Sequence, residues 1–192
     1  MKYPHTYIPD QDIPRANPAF QHIVDTYASE TNKLASVWHE LQDDQLDFRL
    51  HVRSSSIRQI LVHQILSERR FFAEFLGLPE PSPESLLPVG DGTPVQAYIE
   101  RLVTLARARL NPLAGADQAF WLAEVPFFDV QRQRIWVFWR RVLHTAHHRA
   151  QVGVCLRILE DRVPATYGPT ADVTWTGADP TMTLDAARRV QP

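Results

Sequence analysis

The chain contains a single cysteine, Cys155, in 192 residues, so it can close no internal disulfide. That excludes a disulfide-stapled scaffold. The opening Met1-Lys2-Tyr3-Pro4-His5 lacks the apolar core of a signal peptide, and the expected location is the reducing cytoplasm. An excess of either charge is also missing: 20 Lys and Arg face 22 Asp and Glu, a formal net charge of -2. Such a surface exerts no general attraction on a polyanion, so no nucleic-acid partner is expected. Every apolar stretch is broken by Arg, His or Gln well short of the roughly 20 residues a membrane helix requires. The expectation is a soluble protein with no membrane span. No Gly-x-Ser-x-Gly elbow, no phosphate loop ending in Gly-Lys-Ser/Thr and no His-Glu-x-x-His is present, which removes the commonest hydrolase, nucleotide-binding and zincin readings. Gly90-Asp91-Gly92-Thr93 reads only as a turn, and there is no internal repeat.

What the sequence does contain is helical periodicity. The 44% hydrophobic content suits one bundle-sized core. Residues 1–18 carry Pro4, Pro9, Pro14 and Pro18 and read as an extended leader. Phe20, Val24, Tyr27, Leu34, Trp38 and Leu41 then predict a helix with one buried stripe. Ser54, Ser55 and Ser56 offer caps for a second helix running to about Gly77, with Ile57, Leu61, Ile65, Phe72 and Leu76 inward. Residues 78–93 read as a long loop. A third helix is expected from Pro94 to Leu110, stopped by Asn111 and Pro112. The fourth and longest spans about Phe128 to Asp161 and is apolar on two sides. One side carries Ile135, Trp139, Val142, Ala146 and Gly153; the other carries Val137, His144, His148, Cys155 and Leu159. Residues 162–192 read as a mostly irregular tail with a short helix over 181–189. With no convincing alternating strands, the expected architecture is all-α: an antiparallel four-helix bundle over 19–161, flanked by the two irregular extensions.

Three of the eight histidines crowd into His144-Thr-Ala-His147-His148 on that fourth helix. Residues four apart differ by only about 40° around a helix, so His144 and His148 point the same way and can share one ion. His144 with His147 is also geometrically possible, but aims less squarely along the Val137 to Cys155 seam. Two imidazoles buried without a common partner would be costly. His63, inside the second helix, can face a neighbouring helix; alone it reads as an ordinary histidine.

The stretch Ser56-Ile-Arg-Gln-Ile-Leu-Val-His63-Gln-Ile-Leu-Ser-Glu-Arg-Arg-Phe-Phe resembles the second helix of the DinB/YfiT-like superfamily. Leu143-His144-Thr-Ala-His-His148-Arg149-Ala150-Gln151 resembles that superfamily's late His-x-x-x-His-Arg-Gly-Gln segment, departing from it at Ala150, where glycine is usual. The resemblance runs from about residue 20 to 160 in element order and length. It implies one divalent metal ion held inside a four-helix bundle on His63, His144 and His148.

Three neutral imidazoles leave positions on such an ion open, the layout of a reactive site more than a closed structural one. Imidazole suits zinc, nickel, iron and copper, with zinc and nickel placed first. An ion held this way can lower the pKa of a bound water or thiol. Candidates for a supporting shell or a general base are Glu68, Glu30, Arg149 and Gln151, each more often a solvated surface residue. The catalytic residues are not identified by the sequence. Cys155 reads as a small core residue, and Trp121, Trp136, Trp139 and the Phe127-Phe128 pair as core or interface. The resemblance implies a metal-dependent enzyme that activates a thiol or water for attack on a small electrophile, of the thiol-dependent transferase or isomerase type, with a low-molecular-weight thiol as possible cosubstrate. A metal-dependent hydrolase and a non-catalytic metal-binding or stress-response protein are the alternatives. The expected partners are a small-molecule substrate and a second copy in a homodimer.

Overall fold

A computed structural model describes residues 5–86, 92–168 and 170–172. The chain is mainly helical, with one small two-stranded sheet. In chain order the elements are α1 (Gln21–Trp38), α2 (Ile57–Arg70), α3 (Pro83–Leu86), α4 (Val95–Gly115), α5 (Gln118–Leu122), β1 (Glu124–Phe127), β2 (Val130–Gln133) and α6 (Arg134–Ile158). α1 packs against both α4 and α6, and α2 packs against α6. Among the described residues no helix is long and apolar enough to cross a membrane.

α1 departs from the single buried stripe its periodicity predicts: every residue from Thr26 to Trp38 is buried. Part of the polar side is covered by the leader. The Asn32 side chain accepts from the backbone N–H groups of Tyr7 and Ile8 and donates to the Ile8 carbonyl. Ser36 donates to the His5 carbonyl. Ile8 is itself buried. Backbone donors of an otherwise irregular segment thus find partners on α1, as buried polar groups require.

Three further expectations are corrected. The third helix does not stop at Asn111 and Pro112 but runs through them to Gly115. Pro112 removes one backbone donor, yet buried Leu113 anchors the following turn in the core. The segment from Phe128 is not the start of the last helix. β1 and β2 pair antiparallel with Phe127 opposite Val130, so Phe128 and Asp129 form the turn, Phe128 at a positive φ of 54°. Val125 and Phe127 point inward at a two-residue spacing while their neighbours face out, a strand signal too short to register beside a 25-residue helix. The chain is therefore not all-α. The loop of residues 78–93 contains α3, and its residues 87–91, like the expected helix over 181–189, lie outside the described residues.

The core divides into two apolar clusters. One gathers Tyr27, Phe72, Leu110, Trp121 and Phe138; the other gathers Leu34, Trp38, Leu61, Leu102 and Leu156. Along α1 and α6 the positions between these clusters carry Glu30, Lys33, Thr145 and Arg149, all buried. The buried face of α6 includes Phe138, Arg141, Val142, Thr145, Arg149, Val152 and Leu156. His144 and His148 lie on its half-buried margin.

Candidate metal centre

The Ser56 hydroxyl accepts from the Gln59 N–H, and the Gln59 side chain accepts from the Ser56 N–H. This capping box fixes the start of α2 and with it the angular position of His63, two turns further on. α2 then widens into a π-helical turn over Phe71–Phe75, which sets the Phe71 ring 5.7 Å from that of His144.

α2 and α6 bring three imidazoles together. His63 Nε2 lies 3.2 Å from His144 Nε2, and His148 Nε2 lies 3.3 Å from the same atom. One ligand atom from each of the three falls within 4.8 Å of the other two. Tetrahedral coordination with metal–nitrogen bonds of about 2.05 Å separates two ligand nitrogens by about 3.4 Å. The spacing and the all-imidazole donor set therefore fit one first-row divalent ion, and His144 is the shared vertex.

The proton positions agree with that fit. His148 Nδ1 lies 2.7 Å from the Gln151 amide oxygen, which can only accept. The proton therefore sits on Nδ1, and a neutral His148 turns an unprotonated Nε2 toward the other two rings. Gln151 is held in turn by donating from Nε2 to His147 Nε2 at 3.2 Å. Burial pushes the His63 imidazole below its ordinary pKa, and burial pushes His148 down against the opposing Gln151 hydrogen bond. His144, lowered to about 4 by burial and then by the neighbouring His148 and His63 charges, stays neutral through the physiological range. Each ring is thereby kept in the form a metal requires.

A hollow of about 210 Å³ opens beside the centre. His63 and His148 form part of its wall, Ser54, Ser55, Gln59 and Gln151 supply uncharged polar groups, and buried Cys155, its thiol pKa raised by burial, lies at its edge. His63 is exposed and the other two rings are half-buried, so the centre is reachable from solvent.

The sequence-based supporting candidates separate. Gln151 does touch the triad. Glu68 does not: it is buried between Arg109 and Arg141, ion-paired to both, and accepts from the Tyr27 hydroxyl at 3.3 Å. Arg109 spans from Glu68 to Glu80, which it meets through Nε and Nη2 at 2.6 Å each. Arg149 donates to Glu30 at 2.7 Å, and Glu30 also accepts from Lys33 at 2.8 Å and from Tyr167 at 2.6 Å. Burial favours the protonated Glu30 carboxyl, but Arg149 and Lys33 outweigh it and hold its pKa low. Sequence reasoning missed this ionic layer, although Arg141 and Arg149 fall at helical spacing among Phe138, Val142 and Val152. His147, the alternative partner for His144, instead packs its ring 4.9 Å from that of His148 and meets Gln151. Trp121 is a core residue, whereas Trp136 and Phe128 are exposed.

The sequence profile of the DinB superfamily matches residues 26–152, a span that contains all three histidines. A DinB-like protein of Bacillus cereus shares the fold at a TM-score of 0.63 and 17% identity, over 76% of this chain and 95% of that one. The DinB-like protein YjoA of Bacillus subtilis does so at 0.59 and 17%, over 75% and 95%. No curated protein matches the sequence. With a profile match over most of its length and these structural neighbours, the chain belongs to the DinB superfamily.

Proposed function

We propose that this protein is a metal-dependent enzyme, built on an antiparallel four-helix bundle, in which His63, His144 and His148 hold one divalent ion, zinc or nickel, that activates a thiol or water for attack on a small electrophile. The observation that carries the reading is the convergence of three neutral Nε2 atoms, spaced for one ion, beside an open hollow. When bound, such an ion supplies Lewis acidity and lowers the pKa of a thiol or water that reaches it. The protein's own residues do the rest. Gln151 fixes the His148 tautomer and His147 steadies Gln151, so the donor set is formed before the ion arrives. Ser54, Ser55 and Gln59 offer hydrogen bonds to a substrate in the hollow, and among the described residues its lining contributes no carboxylate to compete for the ion. The open hollow favours catalysis over metal storage, which a closed site would serve. The exposed apolar residues Trp136 and Leu143 on α6 support pairing of two copies, checked by sedimentation.

The deciding experiment is elemental analysis of the purified protein and of His63→Ala, His144→Ala and His148→Ala, followed by turnover of a panel of electrophiles with and without a low-molecular-weight thiol. About one ion per chain, lost in each variant, with thiol-dependent turnover, supports the reading. Turnover of esters or lactones without thiol would make the protein a hydrolase instead. A folded protein that refuses zinc and nickel overturns it.

A further inference from the structure

A second and larger hollow, of about 400 Å³, lies on the other side of α6. Its volume is in the range of small-molecule sites. The small side chains Ala146, Ala150 and Gly153 leave the space, and Val37, Val154 and Val163 make its walls mostly apolar. Arg149 and Tyr167 also line it.

The charge beneath this hollow does not balance. Among the described residues, Lys33 and Arg149, with side chains only 2% and 4% exposed, share the single carboxylate of Glu30. Tyr167 adds no charge there. Its ring lies 4.4 Å from the Lys33 ammonium and 4.7 Å from the Arg149 guanidinium, and burial raises its pKa to about 12. At the rim, Arg157 is neutralised by Asp172 and Arg162 by Glu40. Among the described residues two nearly dry cations therefore face one anion, and a buried charge left uncompensated is costly. A second anion at this position would relieve it.

We propose that the hollow between α6 and residues 163–167 is a binding site for a monocarboxylic acid with an apolar body, its carboxylate drawn to the Arg149–Lys33–Tyr167 cluster and its body lying against Val154 and Val163. This site is separate from the histidine centre. It uses the face of α6 that carries Ala146, Ala150 and Gly153, while the histidines occupy the face shared with Gln151 and Cys155.

The test is calorimetric titration of the full chain with octanoate, octanol and octylamine, as purified and again after chelator treatment. The expected result is saturable binding of one octanoate per chain, about tenfold or more tighter than octanol, unchanged by the chelator. A Cβ added at Gly153 meets no neighbouring atom within 4 Å, so the position accepts a side chain, and Gly153→Phe directs a ring into the hollow. It should abolish octanoate binding and leave metal content unaltered. Arg149→Met should erase the preference for octanoate over octanol; if that variant does not fold, Gly153→Phe still decides. Equal binding of octanoate and octanol, binding that survives Gly153→Phe, binding lost on chelator treatment, or no saturable binding to the full chain would each overturn the proposal.

Discussion

Removing the Glu68 charge should cost far more stability than removing the arginine beside it. Glu68 is 3% exposed and is the ion-pair partner of two buried arginines. In Glu68→Gln, Arg109 keeps its two-point contact with Glu80, but Arg141 loses its only ion-pair partner among the described residues. Breaking a buried pair from one side costs about 3–5 kcal/mol. The surviving Glu80 contact places the expected loss near the lower end, about 3 kcal/mol. Arg141→Met is different. Arg141 Nε and Nη1 meet no acceptor among the described residues, so their desolvation is already uncompensated. After that substitution Glu68 still has Arg109 and the Tyr27 hydroxyl. Its cost should stay under about 1.5 kcal/mol, because no uncompensated charge is left behind. Urea unfolding of chelator-treated protein, followed by circular dichroism and tryptophan fluorescence, reads both. With a slope of about 2 kcal/mol per molar, the Glu68→Gln midpoint should fall by about 1.5 M and the Arg141→Met midpoint by well under 1 M. Removing metal keeps ligand stabilisation out of the comparison. Equal losses in the two variants, or a Glu68→Gln loss below 1 kcal/mol, would refute the reasoning.

Three other outcomes follow from the site. Gln151→Leu removes the acceptor that fixes the His148 tautomer and should weaken zinc binding about 10- to 100-fold with the fold intact, measured by competition with a chromophoric chelator. Ser56→Ala deletes the cap of α2 and should cost about 1 kcal/mol in urea unfolding. The third concerns pH. His63, His144 and His148 all have lowered pKa values in the folded chain, so between about 6.5 and 4 the unfolded chain binds more protons, and metal-free stability must fall as pH drops through that window. Unfolding midpoints at pH 7.5 and pH 5 should show the drop, and the drop should shrink in His144→Ala. A midpoint that holds or rises at pH 5 would contradict the burial of these rings.

The parts legible from sequence were those set by local spacing. Ser56 as a cap, Gly77 as a left-handed stop at φ 71° and the His144–His148 pair each rest on contacts within one or two turns. His63 became legible only through family resemblance, because its position opposite His144 depends on how α2 packs on α6. The hairpin was hidden because the Phe128–Asp129 turn lacks glycine and asparagine, the usual markers of such turns. The ionic layer was hidden for a different reason. A charged residue at a core position looks like a surface residue until its partner is known, and the partners of Arg149 and Glu68 lie 119 and 41 residues away.

The Tyr167 hydroxyl bonded to Glu30 couples a residue outside the family-matched span to the middle of α1. A protein shortened to end at Asp161 would retain all three histidines and every long helix. It would nevertheless uncover Lys33 and Arg149, leaving Glu30 to hold two cations against water. The segment around Tyr167, which lies beyond the matched span, is thus the roof over a buried cluster of three charges. Ending the chain at Asp161 should therefore yield a less stable protein that keeps the three-histidine cluster, a loss read by urea unfolding.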